Sequence, residues 1–74
     1  MFFFNLHMKT LATLGKYNRN RGVITWRFCK TETGEYLALR NDGRRFSYLD
    51  IDDARDGYRK MRSLGFAQVE LLAV

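Results

Sequence analysis

The sequence predicts a small α+β domain in which an antiparallel sheet packs against one helix, in the order β-β-β-α-β. Three patterns support this class: strand-like alternation over residues 23–49, an amphipathic helix pattern over residues 50–64, and a short alternating segment after it. The 74-residue length allows one domain with a thin core. A partner or a second copy would add stability to such a core, so a homodimer is one expectation.

The first predicted strand covers residues 23–30, in which polar and apolar side chains alternate. A period of two is typical of a strand with one buried face, which here carries Trp26 and Phe28. Residues 31–34 then predict a turn, and residues 35–40 resume the alternation as a second strand.

A hairpin turn is predicted at Asn41-Asp42-Gly43, because these residue types tolerate positive φ at little cost. Residues 44–49 follow as a third strand. Together the three strands predict an antiparallel meander.

A helix is predicted from Asp50 to Leu64. Asp50 is a favourable N-cap, and the acids after it lie beside the positive end of the helix dipole. Gly65 supplies a left-handed C-terminal cap. Gly57 lies inside the helix, which indicates either close packing on the sheet or the close approach of a partner. The apolar stripe of the helix consists of Ile51, Ala54, Tyr58, Met61 and Leu64.

The two ends of the chain carry weaker patterns. Residues 1–14 are apolar-rich without a clean period, and Met8 is a candidate natural start that would make residues 1–7 dispensable. Residues 15–22 predict a basic loop, and residues 66–74 predict a closing strand beside the meander. The expected core contains Trp26, Phe28, Leu37, Leu39, Ala54, Tyr58, Met61, Leu64, Val69 and Leu71.

Charge is unevenly distributed along the chain, which has a net charge of +5 and a pI near 9.8. Residues 9–30 carry six Lys or Arg and no Asp or Glu, whereas residues 50–56 carry four of the eight acids. The molecule is therefore expected to be electrically two-sided, a property that suits a polyanion or an acidic protein surface.

The sequence favours a binding protein over an enzyme. His7 is the one histidine and Cys29 the one cysteine, too few for a zinc site, which needs three or four ligands. Cys29 is expected to be a buried structural thiol, and the acids of residues 50–56 are interpreted as helix caps rather than as a Mg²⁺ or Ca²⁺ site. No catalytic residue, metal or cofactor is assigned.

Neither a membrane span nor a secretory signal is predicted. No apolar run approaches the roughly 18–20 residues that a transmembrane helix needs. Asn5, His7 and Lys9 interrupt the apolar start of the chain before a signal sequence is complete. One cysteine suits a reducing compartment, so the predicted location is the cytoplasm.

Cations interleaved with tyrosines are the best functional signal. Lys and Arg neutralise phosphates, and Tyr rings stack on bases, so the pattern favours DNA, RNA or a nucleoprotein as the partner. A solvated basic face with no nucleic-acid role is the alternative. The arginines around the hairpin are expected to be exposed together on one surface. The candidate residues are Lys16, Arg19, Arg21, Arg27, Arg40, Arg44 and Arg45, with Tyr17, Tyr36 and Tyr48.

A further series of residues consists of Trp26-Arg27, Gly34, Tyr36 with Arg40, Gly43-Arg44-Arg45, Phe46, and Ala54 with Tyr58. Through them, residues 23–64 resemble the DNA-binding domains of the AP2 and phage-integrase arm-binding type, which have a three-stranded sheet and one helix. The resemblance implies that the sheet lies in the major groove of DNA. It also implies that outward arginines contact bases and phosphates, here Arg27, Arg40, Arg44 and Arg45. The predicted closing strand is not part of that pattern.

A protein-directed role is the second hypothesis. A small, proline-free chain with segregated charge is similar to the accessory proteins of phages and mobile elements that block host enzymes or defence complexes. The partner would then be a host protein or nucleoprotein complex, bound as an inhibitor or adaptor binds.

Overall fold

Five strands form one sheet, and a helix packs on one of its faces. A computed structural model describes residues 8–70, and the α+β class with one packed helix is confirmed. The elements are β1 (Met8–Asn18), β2 (Gly22–Thr31), β3 (Tyr36–Arg40), β4 (Arg45–Tyr48), α1 (Ile51–Ser63) and β5 (Ala67–Glu70). The strands lie in the order β4-β3-β2-β1-β5, and all neighbours are antiparallel. The helix therefore connects the two edge strands of the sheet.

The observed order is β-β-β-β-α-β, so the predicted order lacked the first strand. The basic loop predicted for residues 15–22 is wrong, because β1 continues to Asn18 and only Arg19–Arg21 form the turn. Gly15 lies within β1. A side chain is disfavoured there because β5 passes close by, and a Cβ at this position would lie 3.0 Å from Val69 Cγ1. Asn18 closes the turn, since its Oδ1 accepts hydrogen bonds from the amides of Asn20 and Arg21 at 2.9 and 3.1 Å.

The two other predicted turns are confirmed. Gly34 and Gly43 adopt φ angles of +91° and +99°, a region that favours glycine. In the β3–β4 turn, Asp42 Oδ1 accepts a hydrogen bond from the Arg44 amide at 3.2 Å. Asn41 ties this turn to β2, since its Nδ2 donates to the Val23 carbonyl at 2.9 Å.

Both predicted helix caps are confirmed. Asp50 Oδ1 accepts a hydrogen bond from the Asp53 amide at 2.9 Å, and Asp53 Oδ2 accepts one from the Leu49 amide at 3.1 Å. Gly65 adopts a φ of +100° after the last helical turn. The Asp50 carboxylate satisfies an amide that the helix itself leaves without a partner, and the Asp53 carboxylate satisfies the amide that precedes the cap. No helix within residues 8–70 is long and apolar enough to cross a membrane.

An aromatic layer fills the space between the sheet and α1, and it consists of Trp26, Phe28, Phe46, Tyr48 and Tyr58. Trp26 stacks on Phe46 with ring centroids 5.4 Å apart, and Phe28 stacks on Tyr48 at 6.1 Å. The Tyr58 ring meets Phe28 edge-on at 5.6 Å. Rings from β2 and β4 can meet because the strand between them contributes a small side chain here, that of the fully buried Ala38.

The predicted core is partly right. Trp26, Phe28, Leu37 and Ala54 are buried, whereas Leu39, Tyr58 and Met61 are half-buried. Leu64 and Val69 are 58% and 56% exposed, so their assignment to the core is wrong. Leu64 follows the last helical turn, and Val69 belongs to an edge strand, which explains their exposure. Leu71 lies outside the described residues. Leu14 and Ala38, both fully buried, are core residues that the sequence patterns missed.

Replacing Gly57 by alanine should destabilise the protein, although alanine favours a helix by about 1 kcal/mol over glycine. A Cβ at this position would lie 2.5 Å from the Tyr48 hydroxyl oxygen and 2.7 Å from Tyr48 Cζ. We expect a net loss of about 1–3 kcal/mol in the free energy of unfolding, measured by urea denaturation, because the ring must shift off Phe28. In a Tyr48→Ala background the same substitution should stabilise instead. Stabilisation by Gly57→Ala in the native background would contradict this account of the packing.

Candidate nucleic-acid interface

Three chain segments meet at one end of the sheet. β1 and β3 run in the same direction, so the β1–β2 turn and the β3–β4 turn lie at the same end. The helix also finishes there, because Lys16 Nζ in β1 donates a hydrogen bond to the Leu64 carbonyl at 2.7 Å. We call this the turn end, defined by Arg19–Arg21, Asn41–Arg44 and the last turn of α1.

The turn end is rich in cations. Its three defining segments contain one acid, Asp42. The opposite end, which we call the acidic end, carries Glu32 and Glu35 near the β2–β3 turn and the aspartates at the helix start, although Lys9 and Lys30 also lie there. Charge is therefore segregated along the strand direction. The cations of these segments are Arg19, Arg21, Arg44, Lys60 and Arg62, and Lys16 and Arg40 lie directly beside them.

The tip of the β1–β2 hairpin extends beyond its neighbours. β5 begins opposite Gly15, and the Asn41 amide donates to the Thr25 carbonyl at 3.0 Å where β3 ends. Beyond these points, residues 16–24 form a ribbon of two strands. The exposed guanidinium groups of Arg19 and Arg21 lie in the turn of this ribbon.

The expectation that the hairpin arginines share one surface is wrong. Arg45 pairs with Leu39 on the helix-free face, whereas Arg44 lies opposite Arg40 on the face that carries the helix. Arg40 itself does not join the exposed arginines. It pairs across the sheet with Trp26 and therefore lies on the same face as the aromatic layer. Its side chain is 13% exposed, with Cζ 5.8 Å from the Trp26 ring centroid and Nε 3.3 Å from Asp42 Oδ2. Arg40 therefore supports the fold at the turn end and has little surface to offer a ligand.

Arg27 and Arg45 lie on the opposite, helix-free face of the sheet. Leu39 lies between them in the sheet and pairs with Arg27 on one side and with Arg45 on the other. Two strand spacings of about 4.8 Å therefore separate their backbones by roughly 10 Å. Thr13 pairs with Arg27 on its other side, and its Oγ1 is buried without a hydrogen-bond partner among residues 8–70. A cleft in this part of the sheet is lined by Thr13, Thr25, Arg27, Leu39, Arg40 and Asn41.

The remaining candidate residues have structural contacts. Lys16 caps the helix, as described above, and its Nζ lies 5.7 Å from the Phe66 ring centroid. Lys30 Nζ lies over the Tyr36 ring, 5.6 Å from the ring centroid. Tyr48 packs beneath Gly57, where burial raises the pKa of its phenol and the Asp53 carboxylate raises that pKa further.

Lys60 and Arg62 are members of the turn end that the sequence patterns did not select. The sequence pattern places both on the solvated side of the helix. It does not show at which end of the sheet the helix ends, so their proximity to the two turns could not be predicted. Phe46 was also missed as an exposed residue: it is 53% exposed although it stacks on Trp26. No simple sequence signal separates such an exposed strand aromatic from a core one.

The residues considered for chemistry have ordinary surroundings or lie outside the described part. Cys29 is buried, as expected, and its Sγ lies 3.8 Å from the Arg27 carbonyl oxygen. His7 lies outside the described residues. Within residues 8–70, no three His, Cys, Asp or Glu side chains are grouped so that they could hold a metal ion.

Comparison of the chain with protein-family models, curated proteins and solved structures finds no match. The resemblance to the AP2 and phage-integrase arm-binding domains therefore stays a prediction. Relative to their three-stranded pattern, the sheet here has additional strands on one side, β1 and β5.

Replacing Asp42 by asparagine should destabilise the protein by about 1 kcal/mol, because Arg40 is largely buried and would lose its charged partner. Asparagine keeps the acceptor for the Arg44 amide, so the substitution isolates the charge. The matched control is Asp56→Asn, which breaks the exposed pair of Asp56 Oδ1 with Arg59 Nη1 at 2.7 Å and should cost about 0.5 kcal/mol or less. Equal effects in urea denaturation would contradict a structural role for the Asp42 carboxylate.

Proposed function

We propose that this protein binds nucleic acid without catalysing a reaction, through the turn end and the adjoining helix-free face. The observation that carries the proposal is the charge segregation: two turns and a helix terminus bring cations together at one end around a single acid, Asp42. Nucleic-acid backbones attract such a surface because each neutralised phosphate releases condensed counterions.

The tip of the β1–β2 hairpin is the element that suits a duplex best. The major groove of B-DNA is about 12 Å wide and admits a two-stranded ribbon. Residues 16–24 are such a ribbon, with Arg19 and Arg21 in its turn and the exposed Tyr17 and Val23 paired on its helix-free face. In this mode the turn arginines would contact phosphates at the groove.

The helix-free face would supply the second set of contacts. Arg27 and Arg45 are exposed there in one row, and the Thr13 hydroxyl, which has no hydrogen-bond partner among residues 8–70, lies in the same row. Arg44 adds a guanidinium at the neighbouring turn, outside this row and on the face that carries the helix. Asp42 Oδ2 lies 3.9 Å from Arg44 Nε, and this single carboxylate offsets only part of the Arg44 charge. The acidic end would be repelled by phosphates, so the charge pattern also favours one orientation.

The first test is charge reversal at the hairpin tip. Arg19→Glu with Arg21→Glu should weaken DNA or RNA binding and lower the slope of log affinity against log salt concentration by about 2, one unit for each lost phosphate contact. The matched control is Lys9→Glu with Lys30→Glu, which changes the net charge equally at the acidic end. If both double variants lose affinity equally, net charge rather than the turn end governs binding, and the proposed interface is wrong.

The second test is reversal of the β3–β4 hairpin. Arg44→Glu with Arg45→Glu should abolish binding while leaving the free energy of unfolding within about 0.5 kcal/mol, because exposed substitutions rarely change stability much. Both residues are exposed. Unchanged binding by a folded double variant, measured by fluorescence anisotropy, would remove this hairpin from the interface.

The alternative partner is an acidic protein surface, and the same binding experiments distinguish it from nucleic acid. A protein that binds no DNA or RNA at any salt concentration would favour the inhibitor or adaptor hypothesis. A pull-down from lysate, with and without nuclease, then separates the two partners by mass spectrometry. In either case a cytoplasmic location is part of the proposal, because one buried thiol suits a reducing compartment.

A further inference from the structure

A cleft opens between the edge strand β4 and the second half of α1. It is lined by Phe46, Tyr48, Gly57, Lys60 and Met61. Four of these residues present aromatic, apolar or backbone surface, and the fifth brings a cation. An apolar slot with one positive group at its rim is the chemistry that a nucleotide requires, because a base has two flat faces and its phosphate is an anion.

Phe46 is the surface on which a base would stack. Its ring is 53% exposed although it is held against Trp26, at a centroid distance of 5.4 Å and an interplanar angle of 17°. Trp26 is itself 5% exposed and fixed in the core. The Phe46 ring is therefore a preorganised platform: one face is already stacked, and the side chain loses little freedom when a second flat group arrives.

One cation lines this cleft, and a second lies two residues before Phe46 in the chain. Arg44 precedes Phe46 by two residues and so lies on the same face of the chain, with an exposed side chain. Lys60 reaches the cleft from the helix. The helix acid closest in sequence to Lys60, Asp56, is paired with Arg59 at 2.7 Å. The Asp53 carboxylate acts on Tyr48 at the other end of the cleft, so the positive charge of the lining lies at its Lys60 end.

We propose that this cleft binds an unpaired base of single-stranded nucleic acid, with the base stacked on Phe46 and its backbone phosphates between Arg44 and Lys60. The inference rests on the proposed function and deepens it, because it adds a site for single strands on the helix-bearing side of β4, separate from the hairpin tip that suits a duplex. A duplex keeps its bases stacked on one another, so it cannot fill the cleft without base unpairing.

The test compares single and double strands. Fluorescence anisotropy measures the affinity of the protein for a labelled oligonucleotide of about 16 nucleotides and for the duplex of the same sequence. Phe46→Leu keeps apolar volume against Trp26 but removes the ring, and it should weaken single-strand binding by about 5- to 150-fold, the range found when a stacking aromatic is lost. Duplex affinity should change by less than about twofold, since phosphate contacts are retained.

Two further variants and one direct observation complete the experiment. Phe46→Tyr should keep single-strand affinity, and Leu49→Ala, at a neighbouring residue that is 93% exposed, should leave it unchanged. Thermal denaturation checks that each variant is folded. Adding the single strand should also shift the Phe46 ring-proton resonances upfield in NMR spectra, as stacking under a base requires.

The outcomes separate this inference from the proposed function. Equal single-strand affinities for Phe46→Leu and the native protein, or equal losses with single strand and duplex, would overturn the cleft as a base site. If the native protein still binds in a salt-dependent way that Arg19→Glu with Arg21→Glu weakens, the proposed function survives that result. Absence of all binding by the native protein would overturn both.

Discussion

The small side chain of Ala38 is the constraint on which the rest of the structure depends. Two aromatic pairs from β2 and β4 stack across it, and a larger residue would separate them. These stacks join the outer strand β4 to the core, which a four-residue edge strand could not achieve through backbone hydrogen bonds alone. The position of the helix follows, because Tyr48 lies where a side chain at Gly57 would otherwise be.

The same alternation of side chains decides which charges are available to a ligand. In β3, the residue two positions after Ala38 must point to the aromatic face, and that residue is Arg40. Its guanidinium is therefore covered by Trp26 and Asp42. Arg27 and Arg45 lie on the other face for the same reason, because each pairs with Leu39. The basic sheet face expected from the sequence is therefore divided between a largely covered cation, Arg40, and an exposed row on the other face.

The elements that could be predicted are those whose signals are local. Strict alternation in β2, glycine turns at Gly34 and Gly43, and the Asp50 cap each depend on a few neighbouring residues. β1 was missed because a register shift between Thr10 and Ala12 breaks its period, and because Gly15 resembles a loop residue until the approach of β5 explains it. Strand order is a non-local property that no short pattern contains.

The candidate site was predictable in composition but not in arrangement. The sequence predicts Arg19 and Arg21 in a loop and Arg44 at the start of a strand, whereas their meeting at one end depends on the directions of β1 and β3. The addition of Lys60 depends on where α1 finishes. Segregation of charge along the chain predicts a two-sided molecule, whereas the axis of that segregation depends on strand directions that the sequence does not state.

Concentrating cations at one end has a cost in the unbound protein, and this cost connects stability to binding. Like charges that share a small surface repel one another, and the thin core of a 74-residue domain leaves little stability to offset that repulsion. Asp42 relieves part of it, since one carboxylate oxygen lies 3.3 Å from Arg40 Nε and 3.9 Å from Arg44 Nε. A bound polyanion would relieve the remainder and would stabilise the folded state by mass action. The electrostatic strain at the turn end and an affinity for phosphate are therefore two consequences of the same arrangement of charges.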